Sequence, residues 1–371
     1  MRRTHPLTAL AAVGLVAGAL AASGCGSSDD SSSTSSGESA AATADATTTT
    51  AAAGKPTELD LGGPVPIKVG DGPIKIAYFA SCTCNTYTKS MNDAARAKAK
   101  ELGVDMTVFD PDLKPVTQVN QMQNALTQGY NAWAVESVSQ STCALVKKAL
   151  AQGILVSIFN EQVCTSPYAS GPDSYLKGTL NYVAGDETTE AFTNWVNKIH
   201  EDNPGPQDML LVTGTPGFHQ TLVTERAAEE ITKKDPQFKI TVINVPTYDL
   251  AGAQKAVQAR LTADKNITIV AGNYSDLTQG AVLAIKQADR SEGIKVYDMG
   301  GSKWAIDGVK DGTLAMTSVF LPATESELSI ESLVKAWNGE GTGPHYVNIL
   351  DTIGGDPFIT KANADSFTPE Y

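Results

Sequence analysis

From Ile74 onward the chain repeats one pattern: a short run rich in β-branched and aromatic residues, then a stretch with helical amphipathic spacing, then a glycine or a polar turn. That alternation predicts parallel strands joined by crossover helices, because each strand must be led back past the sheet before the next can pair in the same direction. The first unit shows it well. Ile74–Ala80 reads as a strand, Tyr87–Leu102 as a helix rich in Ala and Lys, and Gly103 as its C-cap. The next strand is Met106–Phe109, followed by a helix over Val116–Gln128 with Val119, Met122 and Leu126 on one face and Gly129 past its end. Further strands are predicted at Ala132–Val138, Ile154–Phe159, Leu180–Ala184, Met209–Thr213, Ile240–Val245, Ile267–Ala271, Ile294–Met299 and Leu314–Phe320, with helices near 143–152, 187–200, 220–234, 250–263, 276–288 and 324–338. About ten strands and eight helices fit two lobes of five or six strands better than one open sheet.

Ahead of this body lies a different kind of chain. Arg2 and Arg3, an uncharged apolar run from Leu7 to Ala22, and small residues thereafter predict an export signal over residues 1–24. The segment Leu20-Ala21-Ala22-Ser23-Gly24-Cys25 resembles the lipobox of bacterial lipoproteins, which makes Cys25 the expected lipid attachment site and mature N-terminus, on the outer face of the cell membrane. At about 16 residues the apolar run is short for a membrane span, which needs about 20. Residues 25–72 are read as a tether, disordered at least over 26–56, where Ser, Thr, Ala, Gly and Asp leave no large apolar side chain to bury. Removing residues 1–24 takes the formal net charge from −13 to −15. An acidic surface without basic clusters argues against nucleic acid and anionic lipid surfaces as partners.

Catalytic and cofactor signatures are missing: there is no G-x-S-x-G elbow, P-loop, H-E-x-x-H or complete G-x-G-x-x-G. The chain is therefore expected not to be an enzyme and to need no cofactor or metal. His219 stands alone at a strand-to-helix turn and reads as a solvent-exposed polar residue rather than a ligand contact. The turn Gly214-Thr215-Pro216-Gly217 is by itself weak support for anion binding. Four of the five cysteines, Cys82, Cys84, Cys143 and Cys164, follow the C-terminal ends of predicted strands. In an oxidising compartment an even number favours two disulfides, with three pairings open. A thiolate metal site is the alternative, although C-x-C with two distant single cysteines lacks the familiar zinc spacing.

Ile74–Ser81, Asn85-x-Tyr87 and Ser90-Met91-Asn92-Asp93-Ala94 resemble the opening motif of type I periplasmic binding proteins, of the ribose-binding-like class that serves ABC transporters. The resemblance covers most of residues 74–355. It implies two Rossmann-like lobes of parallel sheet, joined by three hinge crossings expected near Asp186, Phe320 and Gly343. The lobes are read as 73–184 plus 321–345 and 185–320 plus 346–371. It also implies roles: Asn85 and Tyr87 at the ligand, Arg226 in Glu225-Arg226 binding hydroxyls, Tyr248 stacking, and Asn273 at a strand end that carries one extra residue. Three departures, Asn160-Glu161 for Asp-Arg, Gly300 for Asp and Phe320 for Gln, remove hydroxyl partners and favour a ligand with an apolar face or a sugar held by stacking.

Independently of the resemblance, a small-molecule receptor needs flat aromatic faces and a few orienting polar groups. The strand ends supply Tyr87, Phe159, Tyr248, Tyr274, Trp304, Asn85, Asn160 and Asn273. The expected site is therefore Asn85, Tyr87, Asn160, Glu161, Arg226, Tyr248, Asn273 and Trp304, with Trp304 reporting closure. The expected function is monomeric capture of a small polar, sugar-like ligand for an ABC transporter permease. The alternatives are a sensing subunit of a membrane receptor, or an extracellular hydrolase built on Glu161.

Overall fold

A computed structural model describes residues 57–185, 188–354 and 356–371. It opens on an antiparallel hairpin, β1 (Thr57–Leu59) and β2 (Ile67–Val69). There follow β3 (Lys75–Phe79), α1 (Thr86–Glu101), β4 (Asp105–Phe109), α2 (Pro115–Ala125), β5 (Ala132–Val135), α3 (Cys143–Ala151), β6 (Leu155–Phe159) and β7 (Asn181–Ala184). A second series runs α4 (Thr189–Glu201), β8 (Gln207–Thr213), α5 (His219–Lys234), β9 (Phe238–Asn244), α6 (Leu250–Ala263), β10 (Ile269–Gly272), α7 (Ser275–Gln287), β11 (Lys295–Gly300), α8 (Lys303–Asp311) and β12 (Met316–Val319). The chain ends with α9 (Pro322–Trp337), β13 (Tyr346–Asn348) and β14 (Phe358–Ile359).

The strands form two six-stranded sheets, ordered β13-β7-β6-β5-β3-β4 and β14-β12-β11-β10-β8-β9. Every pairing in the first is parallel, and in the second only β12–β14 is antiparallel. Both faces of each sheet carry helices, so the central strands are buried throughout: β5, β6, β7, β10 and β12 expose no residue. Helix α1 begins where the Asn85 carboxamide accepts the Thr88 N–H at 2.9 Å. It turns Met91, Ala95 and Ala99, four residues apart, inward and packs on α9. Helix α9 thus belongs with the first sheet although it follows the last strand but two in sequence.

Each of the ten strands and eight helices expected from the sequence overlaps an observed element. The additions among the described residues are short: four strands of two or three residues, four 3-10 turns of three or four, and α8, whose nine residues contain Gly308 and span too few turns to show a period. Two boundaries shift. The tether, read as reaching residue 72, stops earlier among the described residues, because Leu61, Ile67 and Val69 are buried. There the Ile67-x-Val69 alternation forms a strand, and the Gly72 carbonyl accepts from the Trp337 indole at 3.0 Å. The third crossing, expected near Gly343, falls after Asn348, since Tyr346–Asn348 pairs with Tyr182–Ala184 in the first sheet. A three-residue edge strand with half-buried residues has no pattern that a sequence reading can hold. Residues 1–24, Cys25 and the crossing near Asp186 lie outside the described residues.

The cysteines form two local disulfides, Cys82–Cys84 and Cys143–Cys164. All four sulfurs are used, which leaves none for the alternative thiolate metal site.

Candidate functional site: the cleft between the lobes

Parallel strands place all their C-terminal ends on one edge, and in open α/β sheets that edge is where ligands sit. Here the two edges face each other. The turns after β3, β5 and β6 form one wall of a cavity of about 260 Å³, and the turns after β8, β9 and β10 form the other. The volume falls just below the usual range for ligand pockets, which suits a small ligand.

The second wall is aromatic. Phe218 and Tyr248 lie nearly parallel with centroids 6.3 Å apart, and Tyr274 stands edge-on to Tyr248 at 5.9 Å. From the first wall Tyr87 meets Tyr274 edge-on at 6.4 Å, and Phe320 and Tyr371 support it at 5.5 and 5.4 Å. Tyr248 reaches its place at a cost, with φ of 50° in the left-handed region. Its ring lies over Gly214, where a Cβ would fall 1.6 Å from Tyr248 Cε2. Glycine in the β8 turn is therefore what lets the ring lie flat against backbone.

The first wall carries the polar groups. Asn160, also left-handed with φ of 59°, donates from Nδ2 to the Tyr87 hydroxyl at 2.7 Å and to Glu325 Oε2 at 3.1 Å. Glu161 Oε2 faces His219 Nδ1 across the cleft at 3.6 Å. The other ring nitrogen of His219 lies 3.2 Å from Thr189 Oγ1. Glu136, at the end of β5, accepts the Ser81 N–H at 2.8 Å. Burial pushes its carboxyl up to about 7 against the pull of that hydrogen bond.

This gives a pH dependence with a defined sign. The folded Glu136 carboxyl holds its proton to about pH 7, whereas the ordinary value is 4.5. Between those limits the native state binds more protons than the unfolded one, so stability falls as pH rises, by about 3 kcal/mol in all, and levels off above. Asp298, pushed by burial to about 6, adds a loss of the same sign at lower pH. Glu136→Gln, whose carboxamide oxygen still accepts the Ser81 N–H, is expected to flatten the upper part of the curve. Urea unfolding at pH 5, 6, 7 and 8 reads it directly, and parallel curves for the two proteins contradict the assignment.

Of the sequence-predicted residues, Asn85, Tyr87, Asn160, Glu161 and Tyr248 line the cavity. Three do not. Arg226 stands seven residues along α5 from His219, about 10 Å further up the helix axis. It is half exposed, pairs with Glu230 at 3.3 Å and lies over the Tyr168 ring at 4.6 Å, on the outer rim. Asn273 continues the β10 ladder, donating its N–H to the Val212 carbonyl at 3.1 Å, and is buried outside the cavity lining, where the next residue, Tyr274, stands instead. Trp304, in the first turn of α8, folds back against the core. Phe159 is core as well, packed on Tyr78 at 5.2 Å.

The reading of His219 as solvent-exposed is overturned: it is 7% exposed and lines the cavity. Glu136, Gln140, Gln162 and Phe218 are wall residues that the sequence reading missed. One signal was available for Glu136, a carboxylate ending the apolar run Ala132–Val135. Gln140 and Gln162 gave none, since they are tied to each other's loops only in three dimensions, Gln140 Nε2 donating to the Gln162 carbonyl at 2.8 Å.

The sequence profile of the family described as periplasmic binding protein domain matches residues 76–341. The ribose import binding protein of Escherichia coli K12 is 22% identical over 274 residues, covering 73% of this chain and 87% of that protein. The D-apiose import binding protein of Paraburkholderia graminis is 22% identical over 294 residues, covering 78% and 88%. Among solved structures, an ABC transporter solute binding protein from Bacillus halodurans with bound myo-inositol superposes with a TM-score of 0.69 at 17% identity, covering 81% of this chain and all of that one. At that identity the likeness speaks for the fold.

Proposed function

This chain belongs to the periplasmic binding protein family, and on that premise we propose that it is an extracytoplasmic solute-binding protein that captures a small polar, sugar-like molecule between its lobes and delivers it to an ABC importer. One observation carries the reading: a small cavity where the two sheet edges face each other, with aromatic faces on one wall and orienting polar groups on the other. The names of the relatives, which are import binding proteins for ribose and D-apiose, support a carbohydrate class. Attachment through Cys25, a membrane permease as partner, and action as a monomer complete the proposal. Among the described residues no helix is long and apolar enough to cross a membrane.

A thermal-shift screen of residues 57–371 against sugars, polyols, nucleosides, amino acids and small aromatic acids tests it. A ligand at a hundred times its dissociation constant is expected to stabilise by about 2.7 kcal/mol. Tyr248→Ala is expected to weaken binding of the hit by about 1–3 kcal/mol through loss of one stacking face, with the fold retained. Unchanged affinity in that variant excludes this wall as the binding surface. The facing Glu161 and His219 and the raised carboxyl of Glu136 are the basis for a hydrolytic reading, and a bound sugar recovered intact after prolonged incubation discards it.

A further inference from the structure

The charge on the cavity walls is one-sided. Two acidic residues line it, Glu161 and a Glu136 that keeps its proton to about pH 7, and no Lys or Arg does. His219 is the only wall residue able to carry positive charge, and it already faces Glu161 at 3.6 Å. Arg226 is turned away onto Tyr168 and Glu230. Next to Tyr248 stands Asp249, and burial, with a smaller contribution from the Asp249 charge, raises the Asp276 carboxyl. A buried anionic ligand group, carboxylate or phosphate, would meet no counter-charge beyond a His219 that already faces Glu161, and would lose its hydration largely uncompensated.

The same arrangement suits a cation. Glu161 lines one wall beside His219, with only 15% of its side chain exposed, and Phe218 and Tyr248 line the opposite wall of the same cavity. An ammonium group placed between a carboxylate and aromatic faces gains charge-assisted hydrogen bonds on one side and cation–π attraction on the other, both strengthened by exclusion of water. Its neutral hydroxyl counterpart gains neither in full. A chain with a formal charge of −13 also draws cations toward it.

Resting on the solute-binding reading above, we propose that this cleft selects a ligand bearing a protonated amine, an amino sugar or amine-bearing polyol, with the ammonium held between the Glu161 carboxylate and the Phe218 and Tyr248 rings. The amine distinguishes the cargo from the neutral sugars named for the relatives, and it gives Glu161 a role as specificity determinant rather than as a catalyst.

The test uses matched sets that differ in charge at one position. Titration calorimetry at pH 7 compares D-glucosamine, D-glucose and D-gluconate, with an inosamine and myo-inositol as a second set, on the intact folded body and on Glu161→Gln. The expected result is that the amine member binds about tenfold or more tighter than its neutral parent and the acid member does not bind. Glu161→Gln is expected to erase the preference. Should that variant fold poorly, salt gives an independent reading on the unaltered protein: raising NaCl from 0.05 to 0.5 M, both experimental settings spanning the screening range, weakens the amine and leaves the neutral sugar alone. A neutral or acidic member binding as well as the amine overturns the charge inference and leaves the solute-binding reading standing. Silence from these sets together with every class in the wider screen overturns both.

Discussion

Gln118→Ala is expected to destabilise the first lobe by about 4 kcal/mol and to abolish ligand binding with it. The side chain of Gln118 is wholly buried under β3 and β5. Its Nε2 donates to the Ala80 carbonyl at 3.0 Å and to the Glu136 carbonyl at 2.8 Å, and its Oε1 accepts the Val138 N–H at 2.8 Å. These are backbone groups at the strand ends, beyond the last ladder bond, where the chain leaves the sheet to build the cleft wall. Truncation strands three buried polar groups at about 1–3 kcal/mol each, less what water entering the gap recovers. Because Ser81 and Glu136–Gln140 line the cavity, the damage reaches the site. Chemical unfolding measures the stability, and calorimetry with the screened ligand measures the binding. A midpoint within error of the parent protein would falsify the assigned role.

Gly280→Val is expected to cost the second lobe about 3–5 kcal/mol, lowering its melting temperature by about 10 °C. Gly280 lies in the middle of α7, where glycine is otherwise a poor helix residue. It is there because α6 crosses at backbone contact: a Cβ would fall 2.3 Å from the Leu250 carbonyl oxygen and 2.8 Å from the Gln254 nitrogen. Those neighbours are main chain and cannot rotate aside, so the helices must part. The turn before α6 holds Tyr248 and the turn before α7 holds Tyr274, and the same substitution is expected to weaken ligand binding. Scanning calorimetry on the variant decides it; an unshifted transition means that the helices have room the contact distances deny.

Both predictions concern residues that the sequence left unmarked, and the reason is instructive. Gln118 reads as one polar position among several in a helix carrying Gln118, Asn120, Gln121 and Gln123. Only the register of α2 over the sheet buries this one wholly, half-buries Gln121 and leaves Asn120 and Gln123 at the surface. Gly280 reads as an interruption in an otherwise good helix, and nothing local says that another helix passes there. The same limit explains the site. Tyr87 and Asn160 were legible because they follow strands directly, where a parallel sheet brings side chains to the ligand edge. Arg226 and Trp304 sit inside helices, where a displacement of one turn moves a group by about 5 Å and decides whether it reaches the cleft. His219 was misread because its burial comes from the opposite lobe, through Glu161, and no local pattern encodes a surface supplied by the other half of the molecule.

The alternation of β-branched runs with amphipathic segments determined by itself the α/β class, the ten principal strands and the gathering of Asn85, Tyr87, Asn160 and Tyr248 at strand ends, since these follow from backbone pairing and periodicities of two and 3.6 residues. The tertiary structure alone decided which sheet each late strand joins, which cysteines pair, that Arg226 points outward, and that the cleft is walled by carboxylates without a fixed cation. Those outcomes depend on contacts between segments far apart in the chain, where a shift of a few ångströms exchanges burial for exposure and a local sequence carries no record of what will lie opposite.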